Sequence, residues 1–251
     1  GFPDIHTVRR FTVPEDRAID SRVMLLHQRC WTDNRQDKLY ANRLIDQYMQ
    51  RHYKQPGDFE SYLYVSQLLQ AKAVEMAVDA HRRNKPFCMG TLYWQLNDCW
   101  PVTSWSSVDY YGNWKASHYK VQDMFQDILI SPIVTPDSLE IYLVSDKQVP
   151  VRGKLTLELM DFSGSRLDIK DLELDIPENA SKQVFRSGTD QLLSSHDKSK
   201  VFVKASFMSN CGYQVVRSIY FVPEKELSLK DPGIEFELEL TGADEYKLVL
   251  A

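Results

Sequence analysis

Residues Phe87 to Tyr119 read FCMGTLYWQLNDCWPVTSWSSVDYYGNWKASHY, and the reading of this stretch decides the fold. Its first part, Phe87 to Leu96, is a short apolar and aromatic run containing a glycine, with Asn84-Lys85-Pro86 before it and Asn97-Asp98 after it. A run of that length between breakers predicts a buried strand. Helical spacing precedes it, and Lys115 to Ile130 reads as a further helix after it. A helix, a strand and a helix in succession are what a βα-layered fold produces.

Upstream, apolar residues recur at three- and four-residue spacing from about Glu15 to Asn84 with almost no glycine, which predicts a series of helices. The last of these is the clearest. Asp58 is a good N-cap, and Phe59, Tyr62, Leu69, Ala73, Met76 and Ala80 trace an apolar face. His81-Arg82-Arg83 then set positive charge at the negative end of the helix dipole. A binding patch is the other reading of that cluster; the dipole explains it more simply.

Downstream of Pro132 the apolar period becomes two. Leu139, Ile141 and Leu143 share one side of a strand, as do Leu155, Leu157 and Leu159, with further strands at Leu172 to Ile176, Lys182 to Phe185, Val201 to Met208 and Val215 to Val222. Turn chemistry separates them at Asp161-Phe162-Ser163-Gly164, Pro177-Glu178-Asn179 and Ser209-Asn210-Cys211-Gly212. That spacing predicts an immunoglobulin-like β-sandwich without the Cys-Trp-Cys pattern of antibody domains. Ile234, Phe236, Leu238 and Leu240 alternate with glutamates, and Thr241 to Asp244 turn into Tyr246 to Leu250, a hairpin expected to open a further β-domain. Its glutamate ladder reads as an exposed strand face. The expected division is residues 1–131 with α/β character, 132–224 the sandwich, and 225–251 the hairpin.

With 251 residues, 43% of them hydrophobic, the chain can bury a real core. A net charge of −5 with interspersed charges offers no basic field for nucleic acid, and no apolar run reaches the length of a membrane span. Cys30, Cys88, Cys99 and Cys211 lack the CxxC spacing of zinc or redox sites and read as buried free thiols. The six histidines are scattered with no HExxH-like spacing, so neither a metal nor another cofactor is expected.

The chemistry concentrates in Phe87 to Tyr119, which holds four of the five tryptophans, Trp94, Trp100, Trp105 and Trp114, beside Tyr93, Tyr110 and Tyr111. Sugars have apolar C–H faces and polar edges, so a sugar pocket needs flat rings to stack on and amides or carboxylates for the hydroxyls. Gln95, Asn97 and Asp98 supply such groups. In a βα fold, binding groups gather at the carboxyl ends of strands, where Trp94 to Asp98 fall. The alternative is that these rings are packing between domains, since Trp and Tyr bury much area while keeping a polar tip satisfied. For Trp100, Trp105 and Trp114 both readings stay open; Trp94, at a strand end, reads as pocket. Asp98 reads as structural or hydroxyl-binding.

The run GTLYWQLNDCWPVTSWSSVDYYGNWKASHY, residues 90–119, closely resembles the last barrel strand and following helix of β-mannosidases in glycoside hydrolase family 2. AHRRNKP at 80–86 and FPDIHTVRRFTVPED at 2–16 extend the resemblance. It implies that residues 1–131 are the C-terminal part of a TIM (β/α) barrel, followed by an immunoglobulin-like domain, within a retaining exo-glycosidase that releases terminal β-linked mannose. Trp94 would then be the floor of the subsite for that mannose. Asn97, Asp98 and Trp100 would lie at the substrate, with Gln95, Trp105 and Tyr110 as support. The partners implied are a β-mannoside oligosaccharide and the N-terminal part of the same polypeptide. The family's two catalytic glutamates sit on earlier strands in motifs this sequence lacks, so the chain alone is expected to be inactive. A retaining mechanism needs both carboxyls, about 5 to 5.5 Å apart. The resemblance also suggests a periplasmic, secreted or lysosomal setting. A different class of function, a non-catalytic module that binds carbohydrate or a partner domain, remains the alternative.

Overall fold

The computed structural model describes residues 1–29, 40–231, 233–242 and 245–250. The helical half contains α1 (Ile5–Val8), α2 (Arg22–Leu26), α3 (Tyr40–His52), α4 (Phe59–Arg83) and α5 (Ala116–Met124). The all-β half contains β1 (Ile128–Val134), β2 (Ser138–Ser145), β3 (Val151–Asp161), β4 (Arg166–Ile176), β5 (Ser181–Gly188), a short α6 (Thr189–Leu193), β6 (Val201–Ser209) and β7 (Gln214–Ile219). A hairpin, β8 (Phe236–Leu240) and β9 (Tyr246–Leu250), closes the order.

Helix α4 starts as its sequence demands. The Asp58 side chain accepts the Ser61 amide at 2.8 Å, satisfying one of the orphan donors of the first turn. Its buried face differs from the expected one: Tyr62, Leu63, Ser66, Gln67, Ala71, Val78, Asp79 and Arg82 point inward, while Ala73, Met76 and Ala80 are exposed. Polar side chains are buried because α4 packs against loops and ion-pair partners as well as apolar neighbours. Phe2, Ile5, Val8, Met24, Met49, Tyr62 and Leu63 form the apolar core of this half.

The sandwich comprises a three-stranded sheet, β1-β2-β5, and a four-stranded sheet, β4-β3-β6-β7, with every pairing antiparallel. Inward side chains at alternate positions, among them Leu139, Ile141, Leu143, Leu155, Leu157, Leu159, Val203 and Phe207, make one core. The expected turns are present, with positive φ at Gly164 (87°), Asn179 (43°) and Gly212 (90°). On β3, Gly153 lets two strands approach: a Cβ there would lie 2.7 Å from Ser209 Cα and closer still to the Met208 carbonyl oxygen.

Four expectations are corrected. The predicted helix Lys115 to Ile130 ends at Met124, and Ile128 already begins β1, whose alternation is masked by the run Ile128-Leu129-Ile130, all buried. The segment Phe87 to Leu96 runs from a turn at Phe87 to bends at Trp94 and Leu96 and joins no ladder among the described residues, so it is not a buried strand; Phe87 is 92% and Leu92 102% exposed. Cys99 and Cys211 are exposed and Cys88 is half-buried, because all three sit in irregular segments and not on packed faces. Cys30 lies outside the described residues. His81-Arg82-Arg83 do more than meet a dipole: Arg82 is buried and donates to the Met124 carbonyl at 2.5 Å and to Asp146 at 3.0 Å, and Arg83 donates to Ser131 at 2.6 Å.

The Arg82–Asp146 and Arg83–Ser131 bonds join the two halves. Arg217 of β7 extends the junction, 2.8 Å from both Asp79 and Glu75 of α4, and Lys72 meets Glu224 at 2.5 Å. Burial pushes the Asp79 carboxyl up to about 6 despite Arg217. The hairpin pairs Phe236 with Leu250 and Leu240 with Tyr246, leaving Phe236, Leu238, Leu240, Tyr246 and Leu248 exposed. Ala243 and Asp244 of its expected turn lie outside the described residues. No helix among the described residues is long and apolar enough to cross a membrane.

Candidate functional site

The aromatic stretch folds as two strand-like segments held side by side. Ser107 N–H donates to the Gln95 carbonyl at 3.0 Å and Val108 N–H to the Leu96 carbonyl at 2.8 Å, forming a parallel bridge between Asn97 and Val108. Ser107 Oγ also donates to the Leu96 carbonyl at 3.1 Å and meets Tyr93 Oη at 3.2 Å and His118 Nδ1 at 3.0 Å. The second segment is tied to the N-terminus of α5 by Lys115 N–H donating to the Ser107 carbonyl at 2.9 Å.

Trp94 stands at the end of the first segment and is 74% exposed, and its peptide bond to Gln95 is cis. Gln95 bridges along its own loop, donating to the Asn97 carbonyl at 2.8 Å. Asn97 is exposed, with one amide contact to the Asp98 carbonyl at 3.4 Å. Trp94, Gln95 and Asn97 thus form one accessible cluster on a pinned backbone.

Asp98 points the other way. It is 4% exposed, and its Oδ2 accepts from Ser104 at 3.0 Å and Ser106 at 2.5 Å, with Lys115 Nζ at 3.8 Å. Of the two readings left by the sequence, hydroxyl-binding and structural, this position fits the structural one, because a carboxylate enclosed by its own loop leaves a sugar no approach. Lys115 is 1% exposed, and burial pulls its ammonium down to about 8 against the opposing charges of Asp98 and Asp109. Asp109 is buried as well, accepting from the Thr7 hydroxyl, from the Tyr111 and Asn113 amides at 2.9 Å, and from Asn113 Nδ2 at 3.0 Å.

The remaining rings divide between packing and surface. Trp100 leans on His27 with centroids 5.0 Å apart, and His27 stacks on Phe11 at 4.1 Å while its Nδ1–H donates to the Pro101 carbonyl at 2.6 Å. Trp100 therefore packs as part of an aromatic stack. Trp105 is 48% exposed beside a hollow of about 170 Å³, and its carbonyl accepts from Gln70 at 2.8 Å. Tyr110 lies edge-on to Tyr111, whose ring carries the Arg10 guanidinium at 4.0 Å. Trp114 packs on His118 and Tyr119.

Sequence reasoning passed over Lys115, Ser104, Ser106 and Asp109, the residues that fix the loop. The signal was available in the alternation of acids with short hydroxyl side chains across the stretch, but local pattern does not reveal which acid meets which hydroxyl. Among the described residues no three His, Cys, Asp or Glu side chains converge as metal ligands.

Residues 137–226 match the Mannosidase Ig/CBM-like domain family. The chain is 27% identical over 279 residues to β-mannosidase A of Aspergillus oryzae, covering 94% of this chain and 29% of that protein. Likeness to β-mannosidase A of Aspergillus fumigatus is 27% over 268 residues, with the same coverage. Among solved structures, the β-D-mannosidase of Dictyoglomus thermophilum superposes with a TM-score of 0.81 at 27% identity, over 100% of this chain and 30% of that one. The exo-chitosanase CsxA of Amycolatopsis orientalis, at 15% identity and a TM-score of 0.67 over 100% of this chain and 28% of that one, shares the fold. The chain spans about three-tenths of the length of the relatives it matches. Sequence and structure agree along both halves, and the chain is a homologue of the C-terminal part of the β-mannosidases of glycoside hydrolase family 2.

Proposed function

We propose that this chain is the C-terminal portion of a retaining, exo-acting β-mannosidase, in which residues 1–131 complete a (β/α) barrel. The observation that carries this reading is Trp94. A tryptophan 74% exposed, next to a backbone pinned at Gln95 and Leu96 by Ser107 and Val108, is a flat surface offered to a ligand. Its polar neighbours Gln95 and Asn97 can take hydroxyls at the ring's edge.

Bond cleavage with retention requires one carboxylate to attack the anomeric carbon and one carboxylic acid to protonate the leaving oxygen. The acids of the aromatic stretch, Asp98 and Asp109, are both buried and committed to hydrogen bonds. The catalytic pair therefore belongs to the earlier part of the polypeptide, and this portion supplies a wall of the mannose subsite. In the full polypeptide, Trp94→Ala should lower kcat/KM for a nitrophenyl β-mannoside at least about tenfold, a loss of about 1.4 kcal/mol. Unchanged kinetics would remove Trp94 from the site. A panel of nitrophenyl glycosides separates mannose from other sugars, and hydrolysis of none of them would sink the enzyme reading in favour of a binding module.

A further inference from the structure

We propose that Lys115 is a positioning residue, whose buried ammonium holds the Trp94 to Asp98 segment against Ser104 to Ser107 and so fixes the platform on which the sugar would stack. The inference rests on the functional reading of Trp94.

The geometry has two arms. Along the main chain, Lys115 N–H donates to the Ser107 carbonyl at 2.9 Å, and Ser107 N–H donates to the Gln95 carbonyl at 3.0 Å, one residue from Trp94. Through the side chain, Nζ lies 3.3 Å from the Gly1 carbonyl, 3.4 Å from Ser104 Oγ and 3.8 Å from Asp98 Oδ2. Asp98 binds the hydroxyls of Ser104 and Ser106 through that same oxygen, while its Oδ1 is buried with no hydrogen-bond partner among the described residues. Burying a carboxylate so enclosed is costly without a compensating charge, and among the described residues Lys115 is the cation in ion-pair range. Remove it, and Asp98 keeps the Ser104 and Ser106 hydroxyls but loses the cation that balances its charge, and the burial penalty drives the carboxylate toward water. That movement loosens the hydroxyl cage, whose Asp98 sits four residues along the chain from Trp94. A buried pair of this kind adds little net stability against an apolar isostere, so its value lies in fixing one loop geometry.

The test uses the full polypeptide labelled with 5-fluorotryptophan, the Trp94 fluorine resonance being identified by its loss in Trp94→Phe. In Lys115→Met that resonance should shift and broaden, and kcat/KM for a β-mannoside should fall about tenfold or more at a temperature where the variant remains folded. Lys115→Arg, keeping the charge, should retain a larger share of activity with a smaller shift. Asp98→Asn combined with Lys115→Met should return the resonance toward its wild-type position. A Trp94 resonance that stays in place in Lys115→Met while only the melting temperature drops overturns the proposal and leaves Lys115 as packing. Should Lys115→Met fail to fold, Lys115→Gln, which also removes the charge but keeps a polar side chain, decides by the same resonance, and an unmoved signal again overturns the proposal. Wild-type polypeptide that cleaves no β-mannoside, with the resonance still moving in Lys115→Met, supports the positioning and sinks the functional reading instead.

Discussion

Replacing Arg217 by methionine should uncouple the sandwich from the helical half, and the size of the effect follows from where Asp79 sits. Arg217 bonds Asp79 and Glu75 at 2.8 Å each. Glu75 keeps a second partner, Lys120, at 3.0 Å, whereas Asp79 has Arg217 as its ion-pair partner and an Oδ1 that is buried without a hydrogen bond. The charges facing Asp79 are Glu75 and Arg83 on α4, Lys120 on α5 and Arg217 on β7. Even with Arg217 present, burial lifts the carboxyl from 3.8 to about 6, which corresponds to about 3 kcal/mol against the ionised form. Breaking a buried pair from one side costs about 3 to 5 kcal/mol.

The sign with pH follows from the same numbers. A carboxyl whose folded pKa is raised penalises the native state in full above about 6 and not at all below 3.8, so protonation restores stability as pH falls through that window. Without Arg217 the folded pKa rises further and Asp79 protonates earlier. The loss in Arg217→Met should therefore be about 3 to 5 kcal/mol near pH 7.5 and clearly smaller near pH 5. Urea denaturation measures it with two probes. All five tryptophans precede the sandwich, so their fluorescence follows the helical half, while circular dichroism in the sheet region follows the other. The two transitions should separate in the variant. A loss under about 1 kcal/mol near pH 7.5, or one equal at both pH values, would refute the reasoning.

Gly153→Ala should destabilise the sandwich by about 1 to 3 kcal/mol, since the added methyl meets strand backbone at Met208 and Ser209; a melting temperature unchanged in calorimetry would contradict this. Asp58→Ala removes the α4 N-cap and should cost about 1 kcal/mol in urea denaturation, with Asp58→Asn recovering most of it. Cys99 and Cys211 should react rapidly with a thiol reagent in the native protein, and Cys99→Ser and Cys211→Ser should each remove one fast equivalent. Trp94→Ala should leave the unfolding free energy in urea within about 0.5 kcal/mol of wild type, because its ring is largely exposed, which separates its effect on catalysis from any effect on folding.

Much of this protein is written in patterns that act over a few residues. The Asp58 cap, the positive-φ turn positions Gly164, Asn179 and Gly212, and the period-two strands from Leu139 onward each depend on neighbours within one turn or one strand, so the chain itself announces them. The aromatic motif carried family kinship for the same reason: it is a contiguous string. Contacts between distant residues were not legible. Ile128 to Ile130 belong to β1 because they pair with Leu143 to Ser145, and a run buried on every side looks alike in helix and strand. Arg82 and Arg217 became a clamp only when α4 met Asp146 and β7, and the bonds of Asp98 to Ser104, Ser106 and Lys115 exist only because folding closes the loop around it. Charge and hydrogen-bonding capacity are properties of a residue type and can be read in order along the chain. Whether they are spent on a ligand or on the protein's own interior is set by which groups folding brings within about 3 Å, and that is decided in three dimensions.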